Sequence, residues 1–298
     1  MEIFLVEVLI TLVLIGLAKW LQDVLTVFDD DHELFTADNP ALGIAKAGYY
    51  LSVMIALSGL WMGYGTGDWY EVGNFAVFGL LALVLMNIST VTVDRCILRN
   101  YKVYDLICGK RNEAVGWALA GSYLGSAFIL RGAVSGDEVA FVEEGVIGAR
   151  PMGMMVLEVI AYFALGQIVL ILASELFDKI NSPHHDALER GNASAGISFA
   201  GFLSAIGLII GGMNKGPDGP LPLHLNGPDL FFFTVSSIVA IIALALIRRY
   251  AFPWMLSGGH CLREEIYRDQ NKAAGFIMAF ASLGLSQLLL VMWWSFEF

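Results

Sequence analysis

Apolar residues along this chain fall into eight blocks of roughly 20, separated by polar stretches. The blocks cover about 3–25, 40–63, 73–94, 113–131, 152–176, 193–212, 229–250 and 272–295. A helix rising ~1.5 Å per residue needs about that length to cross a ~30 Å hydrocarbon core. None of the blocks alternates apolar and polar positions, as ~10-residue membrane strands do. The pattern predicts an all-α polytopic membrane protein with eight transmembrane helices. The first run opens at Ile3 without a basic leader or a small-residue cleavage site. A retained helix is therefore expected there, not a signal peptide.

Every second block begins with the same nine-residue pattern, Asn-x-x-x-Gly-x-x-x-Ala. It runs from Asn39 through Gly43 to Ala47, from Asn112 through Gly116 to Ala120, from Asn192 through Gly196 to Ala200, and from Asn271 through Gly275 to Ala279. The asparagines are 73, 80 and 79 residues apart. Such self-similarity marks a repeat. The unit is one crossing, a polar loop, and a motif helix that crosses back. Two crossings per unit leave successive units in the same orientation, so four parallel two-helix repeats are expected.

A second similarity pairs the halves. Val6-Glu7-Val8-Leu9 resembles Leu157-Glu158-Val159-Ile160, and Leu17 to Asp23 resembles Leu172 to Asp178. Two similar four-helix halves are expected. Residues 1–131 form the first (units 1–68 and 69–131) and residues 152–298 the second (units 152–218 and 219–298). An outer linker, 132–151, joins them.

Composition agrees with a membrane chain. It is 57% hydrophobic and 15% charged, with a mean hydropathy of +0.68, against about 25% charged in soluble domains. Fourteen of the seventeen basic residues flank the motif ends; Arg131, Arg150 and Lys215 lie opposite. Basic residues mark the cytoplasmic side. The motif ends are thus expected to face the cytoplasm of a bacterial inner membrane, with both termini outside. Most of the net charge of −11 then falls on the outer side. Cys96, Cys108 and Cys261 match no zinc or Cys-x-x-Cys spacing and are expected to be plain thiols.

The four asparagines admit two readings. Asn is a favoured helix N-cap, and Pro40 after Asn39 suits a first helical residue. The alternative is a polar ring lining a pathway. Gly43, Gly116, Gly196 and Gly275, with Ala47, Ala120, Ala200 and Ala279, lie on one helix face with the asparagines and read as a packing stripe. Glu7 and Glu158 sit inside spans one and five. Their expected role is interface anchoring near water, and the alternative is a proton or cation role. Gln167 and Gln287 are expected to bond between helices. The runs Asp29 to Glu33 and His184 to Asp186 have no metal-ligand spacing and read as solvated acidic loops. The loops 95–111 and 248–270 mix basic and aromatic residues and are expected to form short interfacial helices.

A two-helix unit whose second helix opens Asn-x-Ala-x-Gly resembles the bacterial membrane family known as domain of unknown function 350. The resemblance spans nearly the whole chain. Ser194 departs from the Ala at +2, and Phe280 from the Gly found at +9 in Gly48, Gly121 and Gly201. The last unit is therefore expected to pack less tightly. The resemblance implies no defined activity; it points to membrane maintenance or cation handling.

No nucleophile, phosphate-loop or metal-ligand arrangement is present in the sequence, so no enzyme, cofactor or metal is expected. The leading reading is a non-enzymatic structural or docking component. It rests on the absence of a buried charge pair and on the capping role of the asparagines. The alternative is a channel or transporter for small cations or polyamines. Expected partners are the lipid bilayer and a cytoplasmic protein reached through loops 95–111 and 248–270. No nucleic acid is expected, and a homo-oligomer is compatible with the pattern.

Overall fold

The structure, a computed structural model, describes residues 2–25, 30–62, 69–135, 141–143, 146–148, 151–181, 184–213, 215–216, 219–220, 227–256 and 258–295. Its long helices are α1 (Glu2–Leu25), α2 (Pro40–Ser58), α3 (Trp69–Thr92), α4 (Glu113–Val134) and α5 (Met152–Ile180). A short α6 (His184–Glu189) precedes α7 (Ala193–Gly212) and α8 (Gly227–Leu246). Two more short helices, α9 (Phe252–Leu256) and α10 (Leu262–Tyr267), lead to α11 (Lys272–Ser295). At the opposite end lie two short antiparallel hairpins, β1 (Phe141–Glu143) with β2 (Val146–Gly148), and β3 (Lys215–Gly216) with β4 (Gly219–Pro220).

Among the described residues, eight helical segments are long and apolar enough to cross a membrane. Their limits follow the hydropathy pattern closely except at four ends. The third runs on to Ile97, the fourth to Val134, the fifth to Ile180 and the seventh to Leu256. In the third and seventh, π-helical turns at Val93–Ile97 and Ile247–Ala251 carry charged residues where the apolar run ends. Short helical pieces also occupy the loops 95–111 and 248–270, as expected. The linker begins later than its expected start at 132, because α4 continues to Val134.

The four motif helices form a row in which α2 packs on α4, α4 on α7 and α7 on α11. The outer helices α1, α3, α5 and α8 flank it. Burial follows this order: 94% of the span-length window of α7 is buried, against 17% in α1. A lipid-facing helix can expose large apolar side chains, and α1 does so with Leu5, Leu9, Leu12 and Val13.

Glycine makes the row possible. A Cβ on Gly116 would stand 2.5 Å from the Ala41 carbonyl oxygen, and one on Gly196 2.4 Å from that of Ala114. At Gly275 the atom met is the Ser194 carbonyl oxygen, at 2.7 Å. The glycine at +4 therefore seats the residue at +2 of the motif helix before it. A second contact runs forward. Gly48 faces Ala120, Gly121 faces Ala200, and Gly201 faces Ala279, each so closely that a Cβ would overlap the alanine backbone. The glycine at +9 thus meets the alanine at +8 of the next motif helix. Matched offsets at two heights mean the neighbours run parallel and nearly in step. Between α4 and α7 the contact continues to the far end, where a Cβ on Gly207 would lie 2.1 Å from the Gly125 carbonyl oxygen.

These offsets change the meaning of Phe280. Position +9 faces a following motif helix, and among the described residues no further motif helix packs on α11. Phe280 is accordingly exposed, and the fourth unit keeps its backward contact through Gly275. The substitution marks the end of the row, not looser packing within it.

A side chain at a closed position must push two backbones apart, and overpacking costs about 1–3 kcal/mol or more. Gly196→Leu and Gly121→Leu are expected to lower the unfolding temperature in detergent markedly or to abolish monodisperse protein. Gly43→Leu, where a Cβ would meet little besides Leu34 at 4.0 Å, is expected to purify normally. Equal behaviour of the three variants would disprove the backbone-contact account.

Candidate functional site

Each motif asparagine caps its helix. The Asn39 Oδ1 accepts from the backbone N–H groups of Ala41 and Leu42, at 3.1 and 3.2 Å. Asn112 accepts from Ala114 and Val115, Asn192 from Ala195, and Asn271 from Ala273 and Ala274. The other end of the amide reaches into the next unit. Asn39 Nδ2 donates to the Ile107 carbonyl at 3.0 Å, Asn112 to Leu188 at 2.8 Å, and Asn192 to Ile266 at 2.8 Å. These three are buried. Asn271, with no following unit, turns to its own loop and donates to Glu265 Oε2 at 2.9 Å.

Glu7 and Glu158 lie elsewhere. Glu7 shares the inward stripe of α1 with Leu14, Ala18 and Gln22. It sits fifteen residues before Gln22, or about 22 Å along the helix. The structure therefore does not bring the glutamates to the asparagines. It also corrects the expectation of water-reaching anchors, since both glutamates are buried, at 8% and 5% exposure. Each faces helices and not the membrane surface. Gln167 bonds between helices as expected, accepting from Ser126 Oγ at 3.3 Å. Gln287 does not; it lies on the exposed face of α11.

Among the clefts near the motif end of the helix row, two are lined by residues at matching offsets. The first, ≈ 180 Å³, is lined by Ala45 and Tyr49 of α2, Leu119 of α4, Ile107 and Cys108 before that helix, and Gln22 of α1. The second, ≈ 80 Å³, is lined by Ser198 and Phe202 of α7, Met278 of α11, Ile266 and Tyr267 before that helix, and Phe177 of α5. Counted from the motif asparagines, the pairs Ala45/Ser198, Tyr49/Phe202, Leu119/Met278, Ile107/Ile266 and Cys108/Tyr267 hold equal positions. Asp94 lines the first cleft and Arg248 the second, each as the second residue of a π-helical turn.

Their charges differ. Beside the first cleft, buried Lys46 forms an ion pair with buried Asp30 and donates to Gln22 Oε1 at 3.1 Å. Tyr49 donates to Asn87 Oδ1 at 3.4 Å. In the second, buried Arg248 donates to the carbonyls of Met278 and Ser198, at 3.2 and 3.0 Å, and to the hydroxyls of Ser282 and Ser198. Its Cζ lies 5.4 and 5.5 Å from the rings of Phe177 and Phe202.

Beside this cleft, His184 is completely buried among Phe177, Phe199 and Tyr267. Burial lowers its pKa to about 3, helped by the positive charge of Arg248. The Tyr267 hydroxyl, whose pKa burial raises, stands 3.2 Å from Nδ1. With Tyr267 as donor, the ring proton sits on Nε2, 3.8 Å from Asp178 Oδ1.

Three expectations are thereby corrected. The buried Lys46–Asp30 pair removes one ground given for a structural role, the absence of any such pair. Asp30 is part of the protein interior, not of a solvated acidic run; Asp29 lies outside the described residues. His184 is a core residue, not a loop histidine. In the sequence Lys46 and Arg248 count only among the basic residues that flank the motif ends. Their positions within helical segments were the available signal, because an ionisable residue inside a span has a partner or a task. No group of three metal-ligating side chains occurs among the described residues.

An array of span-length helices packed through glycine and alanine defines an integral, multi-pass membrane protein. The family model for Domain of Unknown Function (DUF350) matches residues 2–134, 68–157 and 152–292. The chain belongs to that family. No curated protein and no solved structure matches it.

The neutral His184 carries a pH dependence. Its folded pKa is depressed from 6.5 to about 3. Below about pH 6.5 the unfolded chain takes up a proton that the folded one refuses, so this contribution to stability falls as pH drops toward 3. The slope is at most about 1.4 kcal/mol per pH unit. Denaturation in detergent between pH 7 and 4 should show this loss, and His184→Gln should flatten it. An unchanged slope in the variant would contradict a neutral, buried histidine.

Proposed function

We propose that this protein is a non-enzymatic component of the bacterial inner membrane, serving as a structural or docking element in membrane maintenance. The observation that supports this reading is the closed row of motif helices. From the +2 position to beyond +15, α4 and α7 touch backbone to backbone, leaving no width for a hydrated path between them. Both ends of each motif amide are engaged in capping and in bonds to loop carbonyls or carboxylates. The features open to a partner are loops 95–111 and 248–270 and the two clefts beside them. On this reading the chain comprises two similar four-helix halves, with motif ends in the cytoplasm and termini outside.

Flux measurements test the function. Proteoliposomes carrying the protein are expected to be no more permeable to potassium or to a polyamine than empty vesicles. Protein-dependent flux that disappears in Glu7→Gln or Glu158→Gln would replace this proposal with a transport role.

Orientation has an internal reporter. Cys261 is exposed in the loop before α10. A membrane-impermeant maleimide is expected to label it in inverted vesicles and not in intact spheroplasts. Labelling of intact spheroplasts would reverse the orientation.

A further inference from the structure

The second cleft holds a buried positive charge whose partners are all neutral. Arg248 spends four of its five N–H donors on two carbonyls and two hydroxyls. Its Nε–H makes no hydrogen bond among the described residues, and none of their carboxylates lies within ion-pair distance. Carbonyl dipoles and the faces of Phe177 and Phe202 favour a cation, but a charge removed from water is normally matched by an opposite one. Lys46, beside the first cleft, has such a match in Asp30.

The lining continues the imbalance. Arg249 and Arg263 join Arg248 around the cleft, and no aspartate or glutamate lines it among the described residues. Three arginines in one cleft stand out in a chain of net charge −11. The cleft has room for several waters, hence for a tetrahedral oxyanion. Its outer wall is apolar. Leu176 and Ile180 of α5 line it and are 41% and 42% exposed. Arg248 follows directly on α8, where the long apolar run gives way to the charged pair Arg248 and Arg249, and such a boundary is the level at which lipid headgroups lie.

We propose that this cleft binds a phosphate-type anion, presented as the headgroup of an anionic lipid whose acyl chains lie against Leu176 and Ile180. Arginine suits that ligand because its planar fork matches phosphate oxygens and is weakly hydrated. The first cleft does not share the property, since Asp94 stands where Arg248 does and Asp30 neutralises Lys46. The inference is independent of the function proposed above, because a transporter could carry the same site.

Thermal unfolding of the full chain in a neutral detergent tests it, with phosphatidylglycerol, phosphatidylcholine or inorganic phosphate added. Phosphatidylglycerol is expected to stabilise the protein saturably and phosphatidylcholine not. Arg249→Gln with Arg263→Gln should weaken the apparent affinity at least tenfold. Arg95→Gln with Lys102→Gln, which removes equal charge beside the first cleft, should leave it unchanged. Arg249→Gln alone, on an exposed side chain, supplies the comparison if the double variant does not purify. Stabilisation by inorganic phosphate through the same arginines would support the anion site and assign it to the free ion. The proposal is overturned if phosphatidylglycerol acts no more strongly than phosphatidylcholine, or if the control pair weakens binding as much as the cleft pair.

Discussion

Backbone contact between successive motif helices is the constraint on which the rest of this structure depends. Lipid tails are as apolar as leucine, so bringing two helices together in a bilayer gains little from the hydrophobic effect. Close approach, dispersion and hydrogen bonds must supply the attraction. Gly116 on Ala41, Gly196 on Ala114 and Gly275 on Ser194 give that approach at one height. Gly48, Gly121 and Gly201 give it again higher up. The amides of Asn39, Asn112 and Asn192 then tie each helix start to the loop of the following unit. Contacts at three levels leave neither rotation nor sliding free. With the row so determined, the outer helices need little more than apolar surface, and α1 can leave most of its length to lipid.

The same geometry dictates where polar chemistry can collect. The central row admits small residues and serines, whose hydroxyls satisfy themselves on nearby carbonyls, as Ser122 does on Ala118. Larger polar groups fit where an outer helix meets the row near its motif end, beside the π-helical turns. Two clefts lie at such meetings, and both use the same offsets from the asparagine. Their contents differ by charge. One balances Lys46 with Asp30 and carries Asp94. The other holds Arg248 on neutral partners, with two more arginines nearby. A shared backbone with opposed electrostatics is what a duplicated scaffold permits once packing is assured by residues elsewhere.

What was legible in the sequence was periodic. Span number, the limits of four spans and the motif faces follow from length and spacing, because bilayer thickness and helical rise fix both. The family followed from the fourfold Asn-x-x-x-Gly. What could not be read was direction. Glu7 looks like an end residue in one dimension, yet it faces inward because α1 turns that stripe to its neighbours. Gln287 looks like Gln167 in the string, but its face of α11 has no helix beside it. Asp94 and Arg248 stand at the ends of apolar runs and resemble interfacial charges, because a π-helical turn that carries the helix onward is invisible to hydropathy. Asp30 and Lys46 are sixteen positions apart, and nothing local announces that they meet.

The ends of the row show why it stops at four. An interior motif helix offers a small residue at +2 and glycine at +9 to the helix after it, and receives the one before on glycine at +4 and alanine at +8. In the last helix the forward offer is withdrawn. Phe280 stands at +9 and is exposed, and Asn271 returns its amide to Glu265. A fifth helix would meet an aromatic ring where the others found a bare backbone. At the first helix Gly43 and Ala47 remain, but Leu34 from the preceding turn approaches the Gly43 position. Arrays built from stacked units need atypical terminal units to stop further stacking. Here one end is closed by a substitution within the motif helix itself. The other is only partly covered, by the loop that enters it.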